Sequence, residues 1–193
     1  MPILKFEQDL YPGDLLEWEE SADSSCEQWY AIYTRSRCEK KLMRKLHKLE
    51  VPFYSPTIPR RYRSPAGRLR VSHDLLFSNY VFIYGDEFQR YSAQTTDCVS
   101  SWLPVTDGQK LRENLRTIHR LIEIGRPLTP EARLQRGDLV RVRTGAFAGI
   151  EGVVIRRQNK VRLLVAVDFT QQGVSVLLDD CQLEILIDQK MAG

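Results

Sequence analysis

The sequence predicts an α+β protein in two parts, an N-terminal α/β sandwich built from an antiparallel sheet with flanking helices, followed by a small C-terminal β-barrel. Three observations carry this. From Trp29 to Ile124, aromatic and β-branched runs alternate with stretches of helical spacing. From Arg136 onward the helical spacing disappears and five short strand patterns follow within about fifty residues, with turn residues between them. Between the two, Gly125-Arg-Pro-Leu-Thr-Pro-Glu-Ala-Arg133 breaks all periodicity. The expected organisation is an acidic extension at 1–26, a first domain at 27–124, a linker at 125–134 and a second domain at 135–188.

The extension mixes acids with Leu10, Tyr11, Leu15, Leu16 and Trp18 and ends in Ser21-Ala-Asp-Ser-Ser25, which predicts a poorly ordered segment. It is also a candidate to fold back on downstream cations as a mimic of nucleic acid. Trp29 to Arg35 (WYAIYTR) is aromatic-rich and reads as a strand. Ser36-x-x-Glu39 has the spacing of a capping box and predicts a helix to about Leu49, ahead of Pro52. Its apolar stripe is Leu42, Leu46 and Leu49, and Lys41, Arg44, Lys45 and Lys48 form an adjoining cationic arc. Residues 51–58, punctuated by Pro52 and Pro56, should be extended. Arg60-Arg-Tyr-Arg63 and Arg68-Leu-Arg70 flank the turn signal Ser64-Pro-Ala-Gly67, which predicts a protruding basic hairpin. LLFSNYVFIYG at 75–85 reads as a central strand. A short helix capped by Asp86, a strand near Val99 to Leu103, and a helix from about Lys110 to Ile124 complete the first part.

The second part opens on RGDLVRVRTGAFAGIEGVV, residues 136–154. Val140 and Val142 alternate with Arg141 and Arg143, as in a half-buried strand. Gly145, Gly149 and Gly152 then permit a tight loop that carries Phe147. Val153 and Ile155, Val161 to Val167, Val174 and Val176, and Leu183 and Ile185 supply the remaining strands.

Composition excludes several classes. With 42% hydrophobic and 27% charged residues the chain is typical of a soluble globular protein. No apolar run is long enough to span a bilayer, and the start MPILKFEQDLYPGD lacks the pattern of a secretory signal, so a cytoplasmic location is expected. Cys26, Cys38, Cys98 and Cys181 form no Cys-x-x-Cys pair, and His47, His73 and His119 stand apart, so neither a metal site nor a disulfide framework is expected. No nucleophile elbow, phosphate-cradling loop or carboxylate pair points to an enzyme or a cofactor. Charge, by contrast, is segregated. Met1 to Glu27 holds eight acids and one Lys, whereas Arg35 to Arg70 holds twelve Lys or Arg and two Glu, a distribution that favours a polyanionic partner.

The Arg-Gly-Asp-x-Val-Arg-Val run with Gly145-Ala-Phe147-Ala-Gly149-x-x-Gly152-x-Val154 resembles the KOW motif in the C-terminal domain of NusG-family transcription elongation factors. Trp29-Tyr-Ala-Ile-Tyr-Thr-Arg35, the Glu39-Lys-Lys helix and Leu76-Phe77-Ser-Asn-Tyr80-Val-Phe82-Ile resemble landmarks of the N-terminal domain of the same family, in the same order. Together the two cover about Cys26 to Ile187. Ser78-Asn79-Tyr80, where housekeeping members usually carry Pro-Gly-Tyr, and the proline-punctuated segment 51–59 are closer to the RfaH-like specialised antiterminators. The chain departs from RfaH in lacking a His-Thr-Thr run between Gln89 and Thr96, which puts a gate-loop contact in doubt. It departs from housekeeping members in that Phe169 precedes Thr170-Gln-Gln rather than Gly-Arg.

The resemblance implies a monomeric, non-enzymatic elongation or antitermination factor. Its N-terminal domain would dock on the clamp helices of RNA polymerase and suppress pausing, with Tyr33, Phe77, Tyr80, Phe82 and Trp102 in or near the docking surface. Alternate residues of strand 77–83 must face the core, so about half of these aromatics are expected to be packing residues. Arg35, Arg37, Lys45 and Lys48 would meet the non-template DNA strand, and on charge alone Arg60, Arg61, Arg63 and Arg68 are candidates for upstream DNA. An SH3-like KOW barrel would bind ribosomal protein S10 or the termination factor Rho through Phe147, Ile150 and Phe169, all expected to be exposed. Because its strands are rich in β-branched residues, a barrel is expected rather than the helical hairpin that the RfaH domain can adopt. A second reading is an RNA-binding protein of the ribosomal or RNA-processing type, using the barrel and the basic helix.

Overall fold

The computed structural model describes residues 8–18, 26–65, 67–131, 137–157, 160–167, 172–178 and 182–186. The chain divides into two compact units, Met1–Leu111 and Arg112–Gly193.

Unit 1 is built on a five-stranded antiparallel sheet. Its strands are β1 (Leu10–Tyr11), β2 (Gln28–Thr34), β3 (Phe53–Tyr54), β6 (Tyr80–Gly85) and β7 (Val99–Pro104), in the order β1-β3-β6-β2-β7. The central pair β2 and β6 runs in register from Gln28 opposite Gly85 to Tyr33 opposite Tyr80. One face carries Tyr30, Ile32, Phe53, Val81 and Ile83. These pack with Leu42, Met43 and Leu46 of helix α1 (Glu39–Lys48), with Ala93 of helix α2 (Glu87–Gln94) and with Cys98. The opposite face carries Trp29, Ala31, Tyr54, Phe82 and Tyr84, all buried. Burial on both faces explains why these two strands read as continuous apolar runs rather than as alternation.

The start of α1 departs from the expected capping box. Cys38, not Ser36, is the N-cap, and it makes no side-chain cap bond. Arg37 takes φ 60°, which turns the chain just before the helix. The Glu39 carboxylate, freed from a capping role, accepts the backbone N–H of Asn79 at 3.0 Å. The other end closes as a Schellman motif, with Glu50 at φ 56° and the Val51 N–H donating to the Leu46 carbonyl at 3.0 Å. Leu49, assigned to the apolar stripe by spacing, lies outside the core, and Met43 takes its place. In α2 the expected cap is present, since Asp86 and Gln89 form a reciprocal capping box.

Residues 8–18 of the extension are ordered, contrary to expectation. β1 pairs with β3, and Leu10, Leu15 and Leu16 are buried, the last two by a 3-10 turn at Leu15–Glu17. Trp18 sets its ring edge-on to Tyr84 at 6.1 Å. Asp9 holds the start of the basic arm. Its carboxylate accepts the Thr57 N–H at 3.1 Å and the Thr57 hydroxyl at 2.6 Å. The apolar residues of this segment, few as they are, have a sheet to bury against, and that outweighs its acidic composition.

The basic hairpin forms its own two-stranded sheet from β4 (Thr57–Arg63) and β5 (Leu69–Leu75). Gly67 takes φ 74° in the turn, where a side chain would be strained, and Ser64 N–H bonds the Arg68 carbonyl at 2.9 Å.

Helix α3 (Gly108–Glu123) contains the division between the units. That division lies upstream of the expected linker. Within the linker, β8 (Leu128–Glu131) pairs antiparallel with β12 (Gln172–Leu177). Pro130 is tolerated because β8 is an edge strand. The remaining strands are β9 (Leu139–Val142), β10 (Glu151–Arg157), β11 (Lys160–Val167) and β13 (Leu183–Ile185), giving a six-stranded sheet in the order β13-β9-β10-β11-β12-β8. Among the described residues no pairing joins β13 to β8, so closure of the expected barrel is not seen there, and the sheet has six strands where five were expected. Gly145 and Gly149 take φ 87° and 82° in the loop after β9, and Gly152 admits the Leu164 carbonyl to within 2.6 Å of where a Cβ would stand.

Candidate polymerase and nucleic-acid interface

Where β2 ends and β6 begins, the register sets Tyr33 directly opposite Tyr80. The two rings meet edge-on at 5.2 Å. Tyr33 is 38% exposed and Tyr80 half-buried, so the pair presents aromatic surface on a fixed backbone. Burial, and then the neighbouring Tyr33, raise the Tyr80 phenol above its ordinary pKa. Asn79, at φ 67°, ties this corner together. Its N–H reaches Glu39 and its carbonyl accepts the Thr34 N–H at 2.8 Å.

The other three aromatics expected at the docking surface sit differently. Phe77 is 1% exposed and Phe82 0%, their rings packed edge-on at 5.9 Å. Both are packing residues. Phe82 belongs to a strand covered on each face. The strand expected over 75–85 begins only at Tyr80, and Phe77 lies in the bend after β5 with its ring turned onto Phe82. Trp102 is half-buried, with Tyr30 edge-on at 5.8 Å and the Arg90 guanidinium 4.1 Å from its ring centre. Its ring is therefore engaged within the unit. Sequence reasoning missed two strongly exposed aromatics, Phe88 at 72% and Tyr91 at 60%, both on α2. Their three-residue spacing away from buried Ala93 was the available signal.

Among the expected nucleic-acid contacts, Arg35, Arg37 and Lys48 are exposed. Arg35 and Arg37 leave the turn directly after Tyr33 and Thr34, which joins cations to the aromatic pair. Lys45 differs, since its ammonium donates to the Thr96 carbonyl at 2.6 Å and is half-buried. It braces α1 against the end of α2 rather than standing free for a phosphate. Arg60, Arg61, Arg63 and Arg68 are exposed on the β4–β5 arm. Arg60 reaches Asp74 at 3.3 Å, a solvent-exposed pair of small energetic weight. The base of the arm is held on both strands: Asp9 grips Thr57, and the Lys40 ammonium donates to the His73 carbonyl at 2.7 Å.

In unit 2 the two described residues among the expected exposed partner contacts are not exposed. Phe147 and Ile150 are both buried. The loop folds tightly, Gly149 N–H bonding the Val142 carbonyl at 2.8 Å and Ile150 N–H the Phe147 carbonyl at 3.0 Å, and this carries both side chains inward. Phe169 lies outside the described residues. No group of three or more metal-ligating side chains that could hold an ion occurs among the described residues, and no helix there is long and apolar enough to cross a membrane.

No curated protein matches the chain. The family model described as Transcription termination factor nusG matches residues 27–132. That span runs from the residue before β2 through β8 and takes in the sheet apart from β1, the Tyr33–Tyr80 corner and the arginine arm. Because it is more than half of the 193 residues, the chain belongs to the NusG family of non-enzymatic transcription elongation and termination factors.

Proposed function

We propose that this chain is a specialised elongation and antitermination factor of the RfaH-like kind, acting in the cytoplasm. Unit 1 docks on the clamp helices of RNA polymerase and suppresses pausing. Tyr33 and Tyr80 are the docking anchors, and Phe77 and Phe82 support them from beneath. Arg35, Arg37 and Lys48 meet the non-template DNA strand, and the exposed arginines of the arm contact nucleic acid farther out. Unit 2 acts as a KOW module that recruits a second protein, ribosomal protein S10 or Rho. The observation that carries this reading is the Tyr33–Tyr80 pair, Tyr33 exposed and Tyr80 half-buried, with two exposed arginines in the turn that follows it. Exposed aromatics anchored on a rigid frame dominate protein interfaces, and neighbouring cations position a nucleic-acid strand without reading its sequence.

The test is recovery of core RNA polymerase by the full chain. Tyr33→Ala should weaken it by about 1–3 kcal/mol, roughly 5- to 150-fold. A folded Tyr33→Ala variant that retains polymerase like the wild type removes the docking assignment. Recovery of ribosomal RNA without polymerase would favour the RNA-binding alternative.

A further inference from the structure

The β4–β5 arm has two unlike faces. Residues paired across antiparallel strands share a face, and alternate residues along a strand share it too. Tyr62 pairs with Arg70 and Arg60 with Ser72, so Arg60, Tyr62 and Arg70 lie together. The contacts on this face agree with the register, since the Ser72 hydroxyl and Arg60 both reach Asp74. Arg61, Arg63, Leu69 and Val71 occupy the other face. Tyr62 is 43% exposed, and Arg60 and Arg70 are exposed on either side of it. Among the described residues neither arm strand pairs with any strand but the other, and high β-propensity accounts for a tyrosine in this strand but not for its exposure.

We propose that the Arg60–Tyr62–Arg70 face is a binding site for single-stranded nucleic acid, in which an unpaired base stacks on the Tyr62 ring and the two arginines hold the flanking phosphates. Every base has a π-face, so such a site tolerates any sequence, while the arginines supply charge that tracks the backbone. A duplex does not satisfy it, because the bases of a duplex are already stacked on one another. The arm arrives pre-organised. Its two strands are anchored at the base by Asp9 on Thr57 and by Lys40 on the His73 carbonyl, which lowers the ordering cost of binding. The proposal rests on the reading of the arm as a nucleic-acid contact and adds to it the ring, the face and the unpaired state of the ligand.

The experiment measures binding of the full chain to three fluorescent probes of one sequence, a short single-stranded DNA, the same strand as RNA, and the DNA duplex, across a range of salt. Tyr62→Ala should weaken single-strand binding roughly 5- to 150-fold at every salt concentration and leave the salt slope unchanged. Tyr62→Phe should bind like the wild type, and a probe with abasic positions should bind the wild type and Tyr62→Ala equally. Arg70→Gln should instead lower the salt slope by about 0.7. Comparison of the DNA and RNA strands identifies which source the site prefers. Tyr62→Ala binding that matches wild type, or that falls equally on duplex and single strand, overturns the stacking site while leaving the arginine contacts in place. A wild-type chain that binds none of the probes overturns both.

Discussion

Phe77 and Tyr33 were both expected to be anchors of the docking surface, and they should respond to truncation in opposite ways. Phe77 is 1% exposed and packs on Phe82, so Phe77→Ala removes a full aromatic side chain from a sealed site. The expected loss is about 3–5 kcal/mol of stability. For a unit of order one hundred residues each kcal/mol moves the midpoint by about 4–8 °C, which makes the shift on the order of 20 °C. Tyr33, 38% exposed, contributes chiefly one edge-on ring contact with Tyr80. Tyr33→Ala should therefore cost about 0.5–1.5 kcal/mol of stability, a shift of several degrees. Tryptophan fluorescence isolates the relevant transition, because Trp18, Trp29 and Trp102 are the three tryptophans of the chain and all lie in unit 1. Polymerase recovery is then measured well below both midpoints. There Phe77→Ala should retain more binding than Tyr33→Ala, despite its far lower stability. Equal midpoints for the two variants, or loss of polymerase by folded Phe77→Ala but not by Tyr33→Ala, would refute the division between packing and contact residues.

Two more outcomes test the energetics. The Tyr80 phenol is raised above 10.0, first by burial and then by Tyr33, so the folded state favours the neutral phenol. Its contribution is intact below the unfolded value and is lost as pH rises through the higher folded one, so unfolding midpoints should decline less steeply above about pH 10 in Tyr80→Phe than in wild type. In unit 2, Gly152→Ala would bring a Cβ within 2.6 Å of the Leu164 carbonyl and 3.1 Å of the Leu163 side chain. It should destabilise that sheet by about 1–3 kcal/mol, read as faster amide exchange in β9 to β12, with the tryptophan transition of unit 1 unmoved.

Much of unit 1 was legible because its signals are local. Arg60-Arg-Tyr-Arg63, Ser64-Pro-Ala-Gly67 and Arg68-Leu-Arg70 carry both the turn and the charge of the arm, and Asp86 with Gln89 announces the start of α2. What sequence reasoning misplaced depends on partners distant in the chain. In a strand covered on both faces alternation no longer reports exposure, which hides the burial of Phe82, and Phe77 lies in a bend before that strand, where no period applies. Leu10, Leu15 and Leu16 are too few to give the extension a period, yet they suffice once β3 offers an edge. The end of α1 lacks the Gly or Asn that normally marks a left-handed cap, Glu50 standing there instead. Phe147 sits in a glycine-rich loop that looks solvent-facing in sequence, and only the bonds closing that loop show that its ring turns inward.

The short β1 has a bearing on how this protein is handled. The family match begins at residue 27, which makes that position a natural place to trim an expression clone. A fragment starting there would strip the cover from β3 and unmask a row of unpaired backbone N–H and C=O groups. It would also uncover the apolar surface on which Leu15 and Leu16 rest and leave Thr57 without the carboxylate that steadies the arm. Such a fragment should self-associate through its sheet edge, and one that keeps β1 and Asp9 should not, a difference read as concentration-dependent association.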